Sequence, residues 1–452
     1  MQRKVLISLM TGLAVFSAAA TAPAMAQAPA AADRLEQIAQ QLQELKEQNE
    51  RLQAEVEYLK SNALAARKDA ANETVKVDTL VSTAGVAASK YTWSGDFRMR
   101  HDVADAEENV AGRTRDRLRL RLGLQAKVND VINAKLQIAS TNTGTDSGRS
   151  ANQTLGSGWD RKPLSIDLAY VEWKASAATS LALGKQPISW STTSSLFFDK
   201  DLTPEGAAFK YARGPWFANA AYTWLGERDS ATSAAAASDA TMVNAQLGFK
   251  QAIGGYTLTA ALGYFNLDGV QDRVVAASSG CTIDSVFGSG AGAGNNAFGN
   301  TTYSGAAPNA GSATVCTRLQ HEFELWNAFG QLDFTAGKYP VSLYVDYMKN
   351  VGVPGNVSNP QDTAISAGLL FNKASVARSW EFGYFYQRTE KDGIFAQFQD
   401  SEYSGGVTDN NGGMIRAAYV PLAGFTLSTQ YYINSRFVDV RDSVPSRRYR
   451  RW

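Results

Sequence analysis

Arg113-Thr-Arg-Asp-Arg-Leu-Arg-Leu-Arg-Leu-Gly-Leu-Gln-Ala-Lys-Val128 is the stretch that decides the fold. Read at a period of two, Leu118, Leu120, Leu122, Leu124, Ala126 and Val128 share one face. Arg115, Arg117, Arg119, Arg121, Gln125 and Lys127 share the other. Successive side chains of a strand point to opposite sides, so this is a β-strand with an oily face and a basic face. A helix would scatter the same arginines around its circumference. Arginines in a row repel one another, so their face is wet or matched by acids. The oily face needs an apolar neighbour. Two settings satisfy both: the wall of a water-filled transmembrane barrel, or a one-sided sheet of a soluble sandwich.

The flanking chain separates the two. Residues 1–26 carry Arg3 and Lys4, an apolar run from Val5 to Ala20, and Ala24-Met25-Ala26. This is the pattern of a secretory signal peptide, and it places the mature chain outside the cytoplasm. No later stretch is long and apolar enough for a membrane helix, so a membrane location requires a closed barrel. The chain has 452 residues and a formal net charge of +1, which gives no lean toward nucleic acid. Export argues further against that partner.

The two cysteines, Cys281 and Cys316, fall in one Gly/Ala/Ser/Asn-rich segment. In an oxidising compartment a disulfide is expected. It would close a loop of about 36 residues, worth roughly 3–4 kcal/mol in the chain-entropy account. No metal site and no cofactor motif is found.

Residues 33–66 hold a heptad. Leu35, Leu42, Asn49 and Val56 fall at a, and Ile38, Leu45, Leu52 and Leu59 at d. The expectation is a coiled coil within 27–66, and hence an oligomer, followed by a linker over 67–90. From Tyr91 to Trp452 the period is two. Strands are expected at Tyr91–Val103, Arg113–Val128, Val131–Ser140, Leu164–Lys174, Ser180–Trp190, Ala207–Ala212, Trp216–Gly226 and Met242–Lys250. They continue at Tyr256–Leu267, Glu322–Thr335, Val341–Lys349, Thr363–Phe371, Arg378–Thr389, Gly412–Val420, Phe425–Phe437 and Asp439–Trp452. Tight turns such as Gly214-Pro215 and Gly254-Gly255 alternate with long loops. Aromatic pairs, Tyr222/Trp224, Tyr384/Tyr386 and Tyr431/Tyr432, suit interfacial girdles. The fold class is all-β, a transmembrane antiparallel barrel of about 16 strands preceded by a short α-helical coiled coil. Its short turns and N-terminus are expected in the periplasm.

Ser94-Gly-Asp-Phe-Arg-Met-Arg100, Asp116-Arg-Leu-Arg-Leu-Arg-Leu-Gly123, Asn152-Gln-Thr-Leu-Gly156 and Asp199-Lys-Asp-Leu-Thr-Pro-Glu-Gly206 resemble the putative-porin family of Gram-negative outer-membrane barrels. The resemblance covers nearly the whole mature chain. It implies a trimeric or oligomeric diffusion channel for small hydrophilic solutes or ions, set in outer-membrane lipid. The end departs from the usual pattern. Trp452 supplies the expected terminal aromatic residue, but Arg448 and Arg450 stand where apolar residues are expected. An outward charge at mid-membrane costs about 2–4 kcal/mol.

A pore works by shape and field. Arg98, Arg100, Arg115, Arg117, Arg119 and Arg121 are expected to form a basic wall in the lumen, permanently charged because arginine does not discharge. The competing expectation is that they pair with lumen acids and only keep the wall hydrated. Asp199, Asp201 and Glu205 are the candidate acids, on a third external loop folded inward to form a constriction. An enzyme is not expected. The chain has no G-x-S-x-G or H-E-x-x-H motif, and its only histidines are His101 and His321, the latter read as part of a surface cluster with Glu322 and Glu324. The alternative function is structural, with the coiled coil tethering the outer membrane to the cell wall.

Overall fold

The computed structural model describes residues 43, 46–47, 49–53, 90–106, 110–141, 148–192, 196–228, 238–278, 280–287, 296–306, 314–436 and 447–451. The chain divides into two units, Met1–Ala84 and Gly85–Trp452. In the first, the described residues between Gln43 and Gln53 are helical and exposed. They include the heptad positions Asn49 and Leu52. The leader, the linker and the rest of the heptad lie outside the described residues.

The second unit is built on one antiparallel sheet. Its strands are β1 (Tyr91–Ala106), β2 (Val110–Lys127), β3 (Ile132–Ser140), the two-residue β4 (Gln153–Thr154), β5 (Leu164–Lys174), β6 (Thr179–Lys185), β7 (Glu205–Arg213), β8 (Trp216–Gly226), β9 (Ala240–Ile253) and β10 (Tyr256–Asp268). A separate hairpin, β11 (Thr302–Ala306) and β12 (Val315–Leu319), stands apart from it. The sheet resumes with β13 (Phe323–Ala336), β14 (Tyr339–Asn350), β15 (Thr363–Phe371), β16 (Trp380–Thr389), β17 (Asn410–Leu422), β18 (Phe425–Arg436) and β19 (Arg447–Arg451). Apart from β4, the sheet order follows the chain. The short β19 pairs with β18 from Arg436↔Arg447 to Tyr432↔Arg451, and with β1 from Ala104↔Arg451 to Ala106↔Tyr449. Among the described residues β1 and β18 do not pair with each other, so the sheet meets only through β19 at the loop end and is not closed along the rest of the seam, unlike the closed barrel expected from the sequence.

Turn chemistry sets the register. In the β2–β3 turn the Asn129 side-chain oxygen accepts from the Val131 and Ile132 amides at 3.0 and 2.8 Å, which mimics a backbone turn. At the β9–β10 turn Gly254 has φ +61°, a conformation that glycine adopts without a steric penalty. Alternation then sorts the faces. Phe97, Leu122, Leu183, Leu247 and Leu262 are exposed on one side. Aromatic residues on that side cluster near the turn end, where Tyr91, Trp173, Trp216, Tyr256, Trp380 and Phe425 all stand exposed. This is the apolar band and girdle of a lipid-facing surface. Tyr431 and Tyr432, expected as a girdle pair, are adjacent and so point to opposite faces. Tyr432 is buried on the inner one.

The core lies on that inner face, under loops. Trp190, Phe197 and Phe198 of residues 186–204, Val270, Val275 and Phe287 of residues 269–322, and Ile394 and Phe395 of residues 390–409 form one cluster. They pack against Met242, Phe265, Phe323, Leu325 and Met348 of the strands. Tyr403 joins a second cluster with Tyr344, Phe385, Met414 and Tyr432. Its hydroxyl donates to Gln387 O and Gly412 O, at 2.8 and 2.9 Å. The longest loop is cross-linked by Cys281 and Cys316, with Cα atoms 5.8 Å apart.

Leu262 sits midway along β10 on the lipid side. Leu262→Arg is expected to destabilise the protein folded in lipid vesicles by about 2–4 kcal/mol, read by equilibrium denaturation in bilayers. A change within about 0.5 kcal/mol, the range of an ordinary surface substitution, would contradict that placement.

Candidate functional site

The β1–β2 register brings like charges together. Arg98 lies opposite Arg119, and Arg100 opposite Arg117. Directly opposed like charges destabilise a strand pair, so the ladder needs acids from elsewhere. Two come from β1 itself at the same parity. Asp96 accepts from Arg119 at 2.7 Å. Asp102, buried, pairs with Arg100 and with Arg115 at 3.1 Å and Arg117 at 3.5 Å. A third, Asp167 of β5, reaches Arg121 at 3.1 Å.

The remaining acids arrive on loops. Asp201, from residues 186–204, lies 2.9 Å from Arg121 and 3.5 Å from Arg119, and accepts from the Ala151 amide at 3.0 Å. Glu402, from residues 390–409, bridges the opposed pair Arg100 and Arg117. One carboxylate oxygen pairs with Arg100, and the other is 2.9 Å from Arg117. The loop is shaped to deliver it, because Asp400 accepts from the Glu402 and Tyr403 amides at 2.9 and 2.8 Å.

A third loop is laid against the ladder by β4. It pairs with β2 through Arg117↔Thr154 and Leu118↔Gln153, where β3 has already ended. That brings Ser150 to 3.0 Å from Arg117, and the Asn152 side-chain oxygen to 2.6 Å from Arg98. Arg149 is 2 % exposed. It donates to Ala396 O, Gln399 O and Gly406 O and lies 4.2 Å from the Phe298 ring, binding three loops together.

Of the acids expected from the sequence, Asp201 therefore meets the arginines. Asp199 does not. Its two oxygens accept from the Asp201 and Ser401 amides, each at 2.9 Å, so it fastens one loop to another. Glu205 is the first residue of β7 and pairs with Lys185 at 2.8 Å, not with the ladder. Asp102 stands at the same strand parity as Asp96 and could have been found that way. Glu402 had no signal in the sequence, since it is far from the ladder in the chain and sits in a loop without periodicity.

Residues 51–441 match the family described as Putative porin. The chain belongs to that family. The porin is similar in structure to OprB of Pseudomonas putida, with 14% identity, 82% of this chain and 96% of that chain covered, and a TM-score of 0.48. It is also similar to a loop-deleted OmpT of Vibrio cholerae, with 11% identity, coverage of 80% and 97%, and a TM-score of 0.42. A third similarity is to a triple mutant of the Rhodopseudomonas blastica porin, with 8% identity, coverage of 80% and 97%, and a TM-score of 0.41. No curated protein sequence matches the chain. Family and sheet together make this an outer-membrane channel protein.

The porin's histidines are separate from the ladder. His101 is exposed beside Asp116, at 2.8 Å. His321 is buried, 4.0 Å from Asp392, and not part of a surface cluster as the neighbouring glutamates suggested. Asp392 accepts from Thr301, which ties the 269–322 loop to the 390–409 loop. Burial pushes its carboxyl up. Among the described residues no group of three metal-ligating side chains occurs.

At the junction of the 186–204 and 390–409 loops, burial drives the Asp199 carboxyl up from 3.8 to about 8, helped by the neighbouring charges of Asp400 and then Asp201. Burial, and after it Arg416, lowers the Lys200 ammonium nearby. The latched loop therefore keeps a proton that the released loop loses. The latch is strongest below about pH 4 and weakens as pH climbs through about 8. Hydrogen exchange at the Ser401 and Tyr403 amides is expected to rise over that window beyond its intrinsic base catalysis. Asp199→Asn is expected to flatten the excess; an excess that persists unchanged in the variant would rule out Asp199 as its source.

Proposed function

We propose that this porin is a passive diffusion channel for small hydrophilic solutes and ions. In this reading Arg98, Arg100, Arg115, Arg117, Arg119 and Arg121 line the lumen, and Asp201 and Glu402 are carried to them by inward loops. The observation that carries it is the two-loop delivery of carboxylates to one basic wall. Among the described residues five of the six guanidiniums, all but Arg98, pair with five carboxylates, those of Asp96, Asp102, Asp167, Asp201 and Glu402. The wall is a nearly neutral, strongly dipolar surface with a small positive excess. A passing solute then feels alternating charge at short range more than a long-range field, which suits dipolar solutes and gives a modest anion preference.

The protein works as a homo-oligomer in this reading, with a trimer favoured. Residues 27–66 serve as a periplasmic coiled coil after a signal peptide of 1–26, and 67–90 link it to the barrel of 91–452. Leu52, a d position of the heptad, is 60% exposed on its helix, and a partner helix would cover it.

The test is single-channel conductance of the refolded protein in a planar bilayer, with the reversal potential under a salt gradient. Stepwise openings with a small anion preference are expected. The double variant Arg119→Gln/Arg121→Gln leaves Asp201 and Asp167 without their cations and should reverse the sign toward cations. A folded protein without openings overturns the channel reading, and an unchanged reversal potential overturns the arginine lining.

A further inference from the structure

The arginine ladder contains two like-charged pairs in register, and they are treated differently. Arg100 and Arg117 are bridged by two carboxylates, those of Glu402 and Asp102, each with one oxygen for either guanidinium. Arg98 and Arg119 stand opposite each other one step along the same strands. Arg119 has Asp96 and, more distantly, Asp201. Arg98 has only the neutral side-chain oxygen of Asn152, at 2.6 Å. Among the described residues no carboxylate lies within ion-pair distance of Arg98. The side chain is partly exposed, and Asp96 beside it is open to solvent, so the pair is reached from water while Arg117 and Glu402 are not.

We propose that Arg98, together with Arg119, forms a binding site for the carboxylate group of a small organic anion passing through the channel. The inference rests on the channel reading above. The chain itself shows how the chemistry is met, since Glu402 bridges the neighbouring pair with a carboxylate, whose two oxygens suit the guanidinium fork. At the outer pair a solute carboxylate accepts from Arg98 and from Arg119. Asn152 holds the Arg98 fork in place without neutralising it. Asp96 and Asp201 share Arg119 and weaken the site. A permeation site needs this, because a solute must bind well enough to enter and loosely enough to leave. Arginine's charge does not change over working pH, so recognition follows the solute's ionisation and not the protein's.

The experiment uses succinate as probe, at constant chloride and ionic strength, on the full-length protein in planar bilayers. Equilibrium binding of succinate to the folded protein in detergent micelles is followed in parallel. Succinate should reduce the chloride current in a saturable way. Arg98→Gln removes the cation. Asn152→Asp gives Arg98 a carboxylate of its own while keeping every guanidinium. Both should raise the half-blocking concentration about tenfold or more, the scale of one lost charge-assisted contact. Glu205→Gln, a charge change away from the ladder, should leave it unaltered. Equal block in wild type, Arg98→Gln and Asn152→Asp overturns the site, and so does block by inorganic phosphate that equals block by succinate. If the wild type does not conduct, the channel reading falls. The micelle titration still decides the site, because succinate affinity that is lost in both variants supports it and affinity equal in all three overturns it.

Discussion

Six guanidiniums on two adjacent strands are the constraint on which the inner structure depends. Two pairs of them face each other across a ladder. Burying an unpaired charge is costly, whereas a buried charge with good partners roughly breaks even. Asp96, Asp102 and Asp167 cannot satisfy all six. The remaining carboxylates must come from the loops, and that requirement pulls residues 186–204 and 390–409 over the inner face. Asp201 and Glu402 are the points of attachment. Arg149 then fixes the second loop through three of its backbone carbonyls.

Once the loops are inside, apolar packing takes over. A barrel wall alone offers its inner face to water. Here Phe197, Phe265, Phe323, Phe395 and Tyr403 are all nearly fully buried, and each cluster mixes strand and loop residues. Charge brings the loops to the wall and apolar burial holds them there. Polar links run between the loops as well, from Asp199 to Ser401 and from Asp392 to Thr301. The inner face therefore behaves as a protein core on one side and a hydrated charged surface on the other.

The wall was legible in the sequence because alternation is a direct consequence of strand geometry. The spans Leu164–Lys174, Trp216–Gly226 and Thr363–Phe371 agree residue for residue with β5, β8 and β15. Misreadings fell where loops imitate strands. Ser180–Trp190 alternates well, yet β6 ends at Lys185, and Gln186 and Trp190 are buried in the inward loop instead. The two-residue β4 and the β11–β12 hairpin are too short to show a period. The pairing of loop acids with arginines was legible only in part. Asp201 lies in a compact acidic motif beside the fifth long strand and was found. Asp199, two residues away, turned to the backbone of another loop. Glu402 was missed because a contact between distant segments leaves no trace in local pattern.

The same carboxylates offset the charge of the wall and hold the loops against it, so wall charge and loop order are coupled in this porin. Neutralising Asp201 would leave Arg119 with Asp96 and Arg121 with Asp167 as their acids, and would weaken the loop's hold on the Ala151 amide. Neutralising Glu402 would leave Arg100 and Arg117 facing each other with Asp102 as their shared acid. A shift in selectivity from either change therefore mixes two causes. Arg98 is different. Among the described residues its side chain makes one hydrogen bond, to Asn152, and no ion pair, and Asp201 acts on it only from beyond ion-pair distance. Asn152 belongs to the loop that β4 lays against the ladder, so Arg98 touches that loop through a neutral contact and not through an ion pair. The physical asymmetry between the two opposed pairs lies in their acids: Asp102 and Glu402 each bridge Arg100 and Arg117, and among the described residues no carboxylate bridges Arg98 and Arg119.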